Sequence, residues 1–71
     1  MSEKFEHDIK KSYGKIERGG DSWPLEVNLV SWNGRPPKVD IRCWTPDGKP
    51  RKGITLTEHE AVMLREILSR V

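Results

Sequence analysis

The sequence predicts an α+β fold, a curved four-stranded antiparallel sheet followed by one C-terminal helix, with two copies joined as a homodimer. Three observations predict it. Leu25 to Trp32 and Lys38 to Trp44 alternate apolar and polar residues with the period of two that strands require. After Thr57 the apolar residues recur at helical spacing. The 71-residue chain has 34% hydrophobic and 34% charged residues and a single cysteine, so its core is thin and has no disulfide to staple it. A second copy would cover apolar surface that one copy leaves open.

The first strand, about residues 5–17, carries Phe5, His7 and Ile9 at period two, then Tyr13 and Ile16, with Gly14 marking a bulge between the two registers. The RGGD segment turns the chain. The second strand, about 23–33, sets Leu25, Val27 and Leu29 on one face and Glu26, Asn28, Val30 and Trp32 on the other. The third, about 38–45, sets Val39, Ile41 and Cys43 against Lys38, Asp40, Arg42 and Trp44. TPDG has the proline and glycine that suit a turn, and the fourth strand follows over about 51–56.

The helix is predicted over 57–70. Thr57 and Glu60 form the capping-box pattern, in which each side chain satisfies a backbone donor of the other. Ala61, Leu64, Leu68 and Val71, with Ile67 beside them, make one apolar stripe, and Val62 and Met63 widen it enough to meet a partner's helix as well as the chain's own sheet. Residues 1–71 are read as a single domain. Because one helix covers one face of a sheet, the expected core is Leu25, Val27, Leu29, Val39, Ile41, Ile54 and Leu56. Trp32, Lys38, Arg42 and Trp44 are then expected on the uncovered face.

Charge points the same way. From Ser31 to Leu56 six basic residues stand against two acidic ones, although the whole chain carries only +2. Indoles among cations on an open sheet suit an unpaired nucleic-acid strand, whose bases stack on rings while its phosphates meet Lys and Arg. A duplex hides its base faces, so single-stranded DNA or RNA fits better than a double helix. Ordinary cross-strand packing of Trp32 with Trp44, and an Asp40–Arg42 pair at the surface, are the competing accounts of the same residues.

The motifs WNG at 32–34, VDIRCW at 39–44 and RKGITLT at 51–57, in that order and before a single helix, resemble the transcriptional coactivator family of positive cofactor four, in particular its bacterial YdbC-like branch. The resemblance runs from about Trp23 to the C-terminus. It implies a homodimer of curved sheets that binds single-stranded DNA with little sequence preference, in transcription regulation or DNA maintenance. By the same resemblance, Trp32 with its neighbour Asn33 is the stacking position that ends the second strand. Arg42 is the arginine of the D-I-R strand, Trp44 the aromatic after it, and Arg51 with Lys52 the basic pair before the fourth strand. Arg35 and Lys38 are the cations of the intervening turn, where two prolines depart from the family's shorter form.

Other classes find little support. His7 and His59 lie at opposite ends of the chain, Cys43 sits on the apolar side of its strand, and neither a catalytic triad nor a zinc spacing is present, so no enzyme, metal or cofactor is expected. GKPRKGIT lacks the order of a phosphate loop, and a lone helix does not make a helix-turn-helix. The charged start MSEKFEHDIKK lacks a signal peptide's apolar segment, and the longest apolar run, AVML, is too short to cross a bilayer; the expectation is a cytoplasmic protein without a membrane span. The strongest competitor is a dimeric protein-interaction module of the transcription machinery, with the tryptophans as interface anchors.

Overall fold

The computed structural model describes residues 6–71, so the predicted strand position at Phe5 lies outside the described residues. Four strands, β1 (His7–Ile16), β2 (Leu25–Trp32), β3 (Lys38–Trp44) and β4 (Pro50–Leu56), precede the helix α1 (Glu58–Leu68). The strands pair antiparallel in sequence order, a meander in which each short connection joins spatial neighbours. The α1 cap is the one the sequence spells: the Glu60 amide donates to the Thr57 hydroxyl over 3.1 Å, and the Thr57 amide donates to the Glu60 carboxylate over 2.8 Å.

Register follows the alternation through β2 and β3, where Leu29 faces Val39 and Val27 faces Ile41. The outer strands interrupt it. β1 has irregularities between Ile9 and Lys11 and again between Ser12 and Gly14, the second at the predicted glycine. In β4, Arg51 and Lys52 stand together against Cys43, because Gly53 pairs with Arg42 but Pro50 with Trp44.

The core lies on the face opposite to the one expected. Of the seven predicted core residues only Leu56 is buried; Leu25, Val27, Leu29, Val39 and Ile41 are half-buried, and Ile54 is 54% exposed. The fully enclosed positions are Val30, Asn28 and Asp40. These belong to the alternate set, which the sequence assigned to solvent. The physical reason is reach. α1 is an 11-residue helix that contacts only β3 and β4, and none of its residues is buried, so the helix does not cover the apolar set. On the other face two indoles are large enough to roof the strands.

One copy therefore leaves much apolar surface open. Val62, Met63, Ile67 and Leu68 of α1 remain 43 to 58% exposed. The radius of gyration, 13.3 Å, exceeds the roughly 11 Å of a compact chain of this length. Among the described residues no helix is long and apolar enough to cross a membrane.

Candidate nucleic-acid interface

The end of the molecule holding the β2–β3 connection is built by Trp32-Asn33-Gly34-Arg35. Asn33 and Gly34 take φ of 51° and 78°, and the Arg35 amide donates to the Trp32 carbonyl over 2.9 Å, a tight reversal that needs two left-handed residues and receives the pair best suited to it. Ser31 donates its hydroxyl to the Arg35 carbonyl and holds the loop against the strand end. Asn33 also clasps the entry to β1: its amide donates to the Glu6 carbonyl, and its side-chain oxygen accepts from the Glu6 amide, each over 2.9 Å. The turn is thereby fixed beside His7.

Trp32 and Trp44 stand at opposite ends of the β2–β3 pairing, yet their rings are 6.2 Å apart and parallel to within 2°. The strands must curl toward this face to bring them together. His7 tilts against both, 5.7 Å from Trp32 and 4.9 Å from Trp44. Val30, Asn28 and Asp40, which alternate with the indoles on the same face, are fully enclosed. The indoles therefore do share a face with Lys38 and Arg42, as the alternation predicts, but that face is not bare. Trp44 is 6% exposed and Trp32 is half-buried. Two polar atoms under this roof, Asn28 Oδ1 and Trp44 Nε1, have no hydrogen-bond partner among the described residues.

Arg42 is the best-anchored cation. Its Nε and Nη2 donate to the two oxygens of Asp40 over 2.7 and 2.9 Å, Nη1 donates to the Arg51 carbonyl, and Nη2 also reaches Thr55. Thr55 in turn donates its hydroxyl to Asp40 over 2.8 Å. The carboxylate is fully enclosed and the arginine side chain is 16% exposed, so this is not the surface pair that sequence spacing suggested. A fork held at both teeth is a rigid one. Its guanidinium lies over the Trp32 ring, 4.9 Å from the centroid.

A cavity of about 330 Å³ opens beside this stack, lined by Trp32, Asn33, Arg35, Pro36, Lys38, Arg42 and Thr55. Of the eight predicted site residues, the structure brings five to that cavity and puts Trp44 against Trp32 behind it. Arg51 and Lys52 are elsewhere. Their side chains line a separate cleft with Arg18, Trp23, Cys43 and Pro50, at the end of the sheet where β1 meets β2 and β3 meets β4. Thr55 and Asn28 were not foreseen as parts of the site, although Thr55 falls opposite Asp40 once β3 and β4 are paired in register.

The β3–β4 turn is tied by its own polar groups. The Lys49 amide donates to the Thr45 hydroxyl, and the Thr45 hydroxyl donates to the Asp47 carboxylate. That last bond, helped by a backbone donor and by Lys49, holds the Asp47 carboxyl below the ordinary carboxylate range.

Comparison with known proteins places this arrangement. The profile of the family Transcriptional Coactivator p15 (PC4) matches residues 20–67, about two-thirds of the chain, spanning β2, β3, β4 and nearly all of α1. The chain belongs to the PC4 family. PC4-family proteins are non-enzymatic and bind nucleic acid, and the family is generally associated with single-stranded DNA. An uncharacterized protein of Treponema pallidum (strain Nichols) is 43% identical over 70 residues, which cover 97% of this chain and 82% of its own. The match reaches beyond the PC4 segment into β1, whose His7 lies against both indoles.

Proposed function

We propose that this PC4-family protein binds single-stranded DNA with little sequence preference, as a homodimer, in transcription regulation or DNA maintenance. The observation that carries the reading is the cavity beside the stacked indoles, where an aromatic wall meets three cations. A base entering it extends a stack that already holds Trp44, Trp32 and the Arg42 guanidinium, and stacking of this kind contributes about 1–3 kcal/mol per base. Arg42 is neutralised by Asp40, so its part is to fix the stack. Arg35 and Lys38, which form no ion pair among the described residues, are left to meet phosphate. Stacking on a ring and contact with phosphate do not distinguish one base from another, which accords with weak sequence preference. Single-stranded RNA offers the same base faces and is the alternative ligand.

Dimerisation rests on the apolar surface left open by α1 and by the strand face beneath it. Burying that surface against an identical one is the simplest way to stabilise a chain whose own core is thin. It also accounts for the exposed stripe without a second kind of protein partner, which weakens the interaction-module reading.

The test is tryptophan fluorescence during titration with an oligonucleotide as a single strand and as a duplex. Quenching is expected with the single strand alone, and binding should weaken as salt rises by about 0.7 log units per log unit of salt for each phosphate neutralised. Binding that ignores salt, or that favours the duplex, would overturn the reading. Sedimentation at several concentrations measures the dimer directly.

A further inference from the structure

We infer that Asn33 is a positioning residue and not a ligand of the nucleic acid: its side chain fastens the start of β1 across the β2–β3 turn and so seats His7 against the two indoles of the stacking wall. This rests on the single-strand reading above and gives a part in it to β1, which the matched PC4 segment, residues 20–67, does not include.

In a regular antiparallel ladder two facing residues exchange both backbone bonds. Here the Asn33 amide donates to the Glu6 carbonyl as a strand residue would. Asn33 has φ of 51° and has already entered the turn, however, so the return bond from the Glu6 amide goes to its side-chain oxygen. Asparagine meets both demands. It tolerates the left-handed region better than most residues with a side chain, and it carries an acceptor close to its own backbone. The exchange adds a rung just beyond the His7–Trp32 pair, where the β1–β2 register ends.

That rung decides where His7 stands. With Glu6 tied to the turn and Asp8 paired with Ser31, the backbone of His7 is held on both sides, and its imidazole tilts at 53° to Trp32 and 55° to Trp44. Tilted rings at these distances attract one another and resist turning of the indoles. Among the described residues no β1 side chain lines the stacking cavity, so β1 acts on it through these ring contacts. Asn33 stands between the two: it lines that cavity on one side and, on the other, the hollow that holds Glu6 and His7.

The bond can be cut from either end. Glu6→Pro removes the donor and leaves Asn33 intact, while Asn33→Gly removes the acceptor and keeps a residue at ease with positive φ. Glu6→Gln, which has the donor and matches Glu6→Pro in charge, is the reference for that variant. Fluorescence titration with oligo-dT should show each cut weakening binding by about 2- to 10-fold, the equivalent of one hydrogen bond, with no further loss when the two are combined. In NMR spectra of the free protein, both cuts should remove the ring-current shift that Trp32 and Trp44 impose on the His7 ring protons, with His59 on α1 as the internal reference. Asn33→Asp keeps an acceptor oxygen and should keep the His7 shift, a rescue that a general loosening of the turn would not show. Full affinity in Glu6→Pro beside a loss in Asn33→Gly, or losses that add in the double variant, would make Asn33 a direct ligand; either result overturns the inference and leaves the single-strand reading standing. Unmoved His7 shifts in both variants would overturn it as well. Should Glu6→Pro fail to fold, the contrast between Asn33→Gly and Asn33→Asp in the His7 shift decides. If the unsubstituted protein bound no single strand, both readings would fall together.

Discussion

Gly53 faces Arg42 across the β3–β4 pair, and the approach is close enough to forbid any side chain. A β-carbon built there lies 1.9 Å from Arg42 Cβ, 2.5 Å from the Ile41 carbonyl oxygen and 2.6 Å from Arg42 Cα. Carbon atoms need about 3.5 Å, so Gly53→Ala must part the two strands locally by roughly 1.5 Å. None of the three obstacles is the free end of a flexible side chain. Overpacking of this kind costs about 1–3 kcal/mol, and weakening a neighbouring ladder bond adds about 1 kcal/mol. Set against the roughly 3–5 kcal/mol that a chain of this size holds, a loss of about 2–4 kcal/mol is most of its stability. Circular-dichroism melting at matched protein concentration should show a fall in Tm of roughly 10–30 °C, at about 4–8 °C per kcal/mol. Lys52→Ala, the neighbouring exposed position, serves as the control. A Gly53→Ala melt within about 3 °C of the unsubstituted protein would refute the claim that this glycine is demanded by strand proximity.

The two indoles should separate in the same assay: Trp44→Ala removes an almost fully buried ring and should cost about 3–5 kcal/mol, enough to unfold the chain, while half-buried Trp32→Ala costs less and lowers oligonucleotide affinity in a protein that still folds. Equal destabilisation by the two would contradict the unequal burial. Thr57→Ala removes the hydroxyl that accepts from the Glu60 amide and should lower Tm by about 4–8 °C, for a loss of about 1 kcal/mol, without changing the salt slope of binding. Thr45→Val should bring the Asp47 carboxyl back up toward its ordinary range in an NMR titration. Because that carboxyl titrates lower in the folded state, its contribution to the turn is present above the ordinary carboxylate range and is lost as pH falls through the folded pKa. The valine variant should therefore lose the turn's protection at a higher pH than the parent.

What the sequence made legible was local. The α1 cap is written in two residues three apart, and the strands β2 and β3 in a strict alternation, so their positions needed no tertiary information. The choice of buried face did need it. Both alternating sets contain apolar residues, and the leucine and valine set looked like the core only on the assumption that α1 would cover it. Trp32 and Trp44 each bring more apolar area than a single aliphatic side chain, and once the sheet curls they close over their own side instead. The distance of the Arg51 and Lys52 side chains from the indole stack has a different cause. Residues flanking the β3–β4 turn lie at the far end of a meander from the β2–β3 turn that holds Trp32, and that separation follows from strand order alone. Periodicity could not show the extra residue in β4, because a bulge leaves the apolar spacing of Ile54 and Leu56 untouched.

That one supernumerary residue works as a change of parity. Downstream of it, odd and even positions of β4 keep step with β3 through Gly53, Ile54, Thr55 and Leu56; upstream, the count is displaced by one. Deleting Lys52 would restore an unbroken count, with Arg51 alone opposite Cys43 and Pro50 still opposite Trp44, and would take one cation from this end of the sheet without turning its neighbours over. Variation in the length of this hairpin is thus a route by which related chains could add or lose positive surface while the framework of strands stays the same.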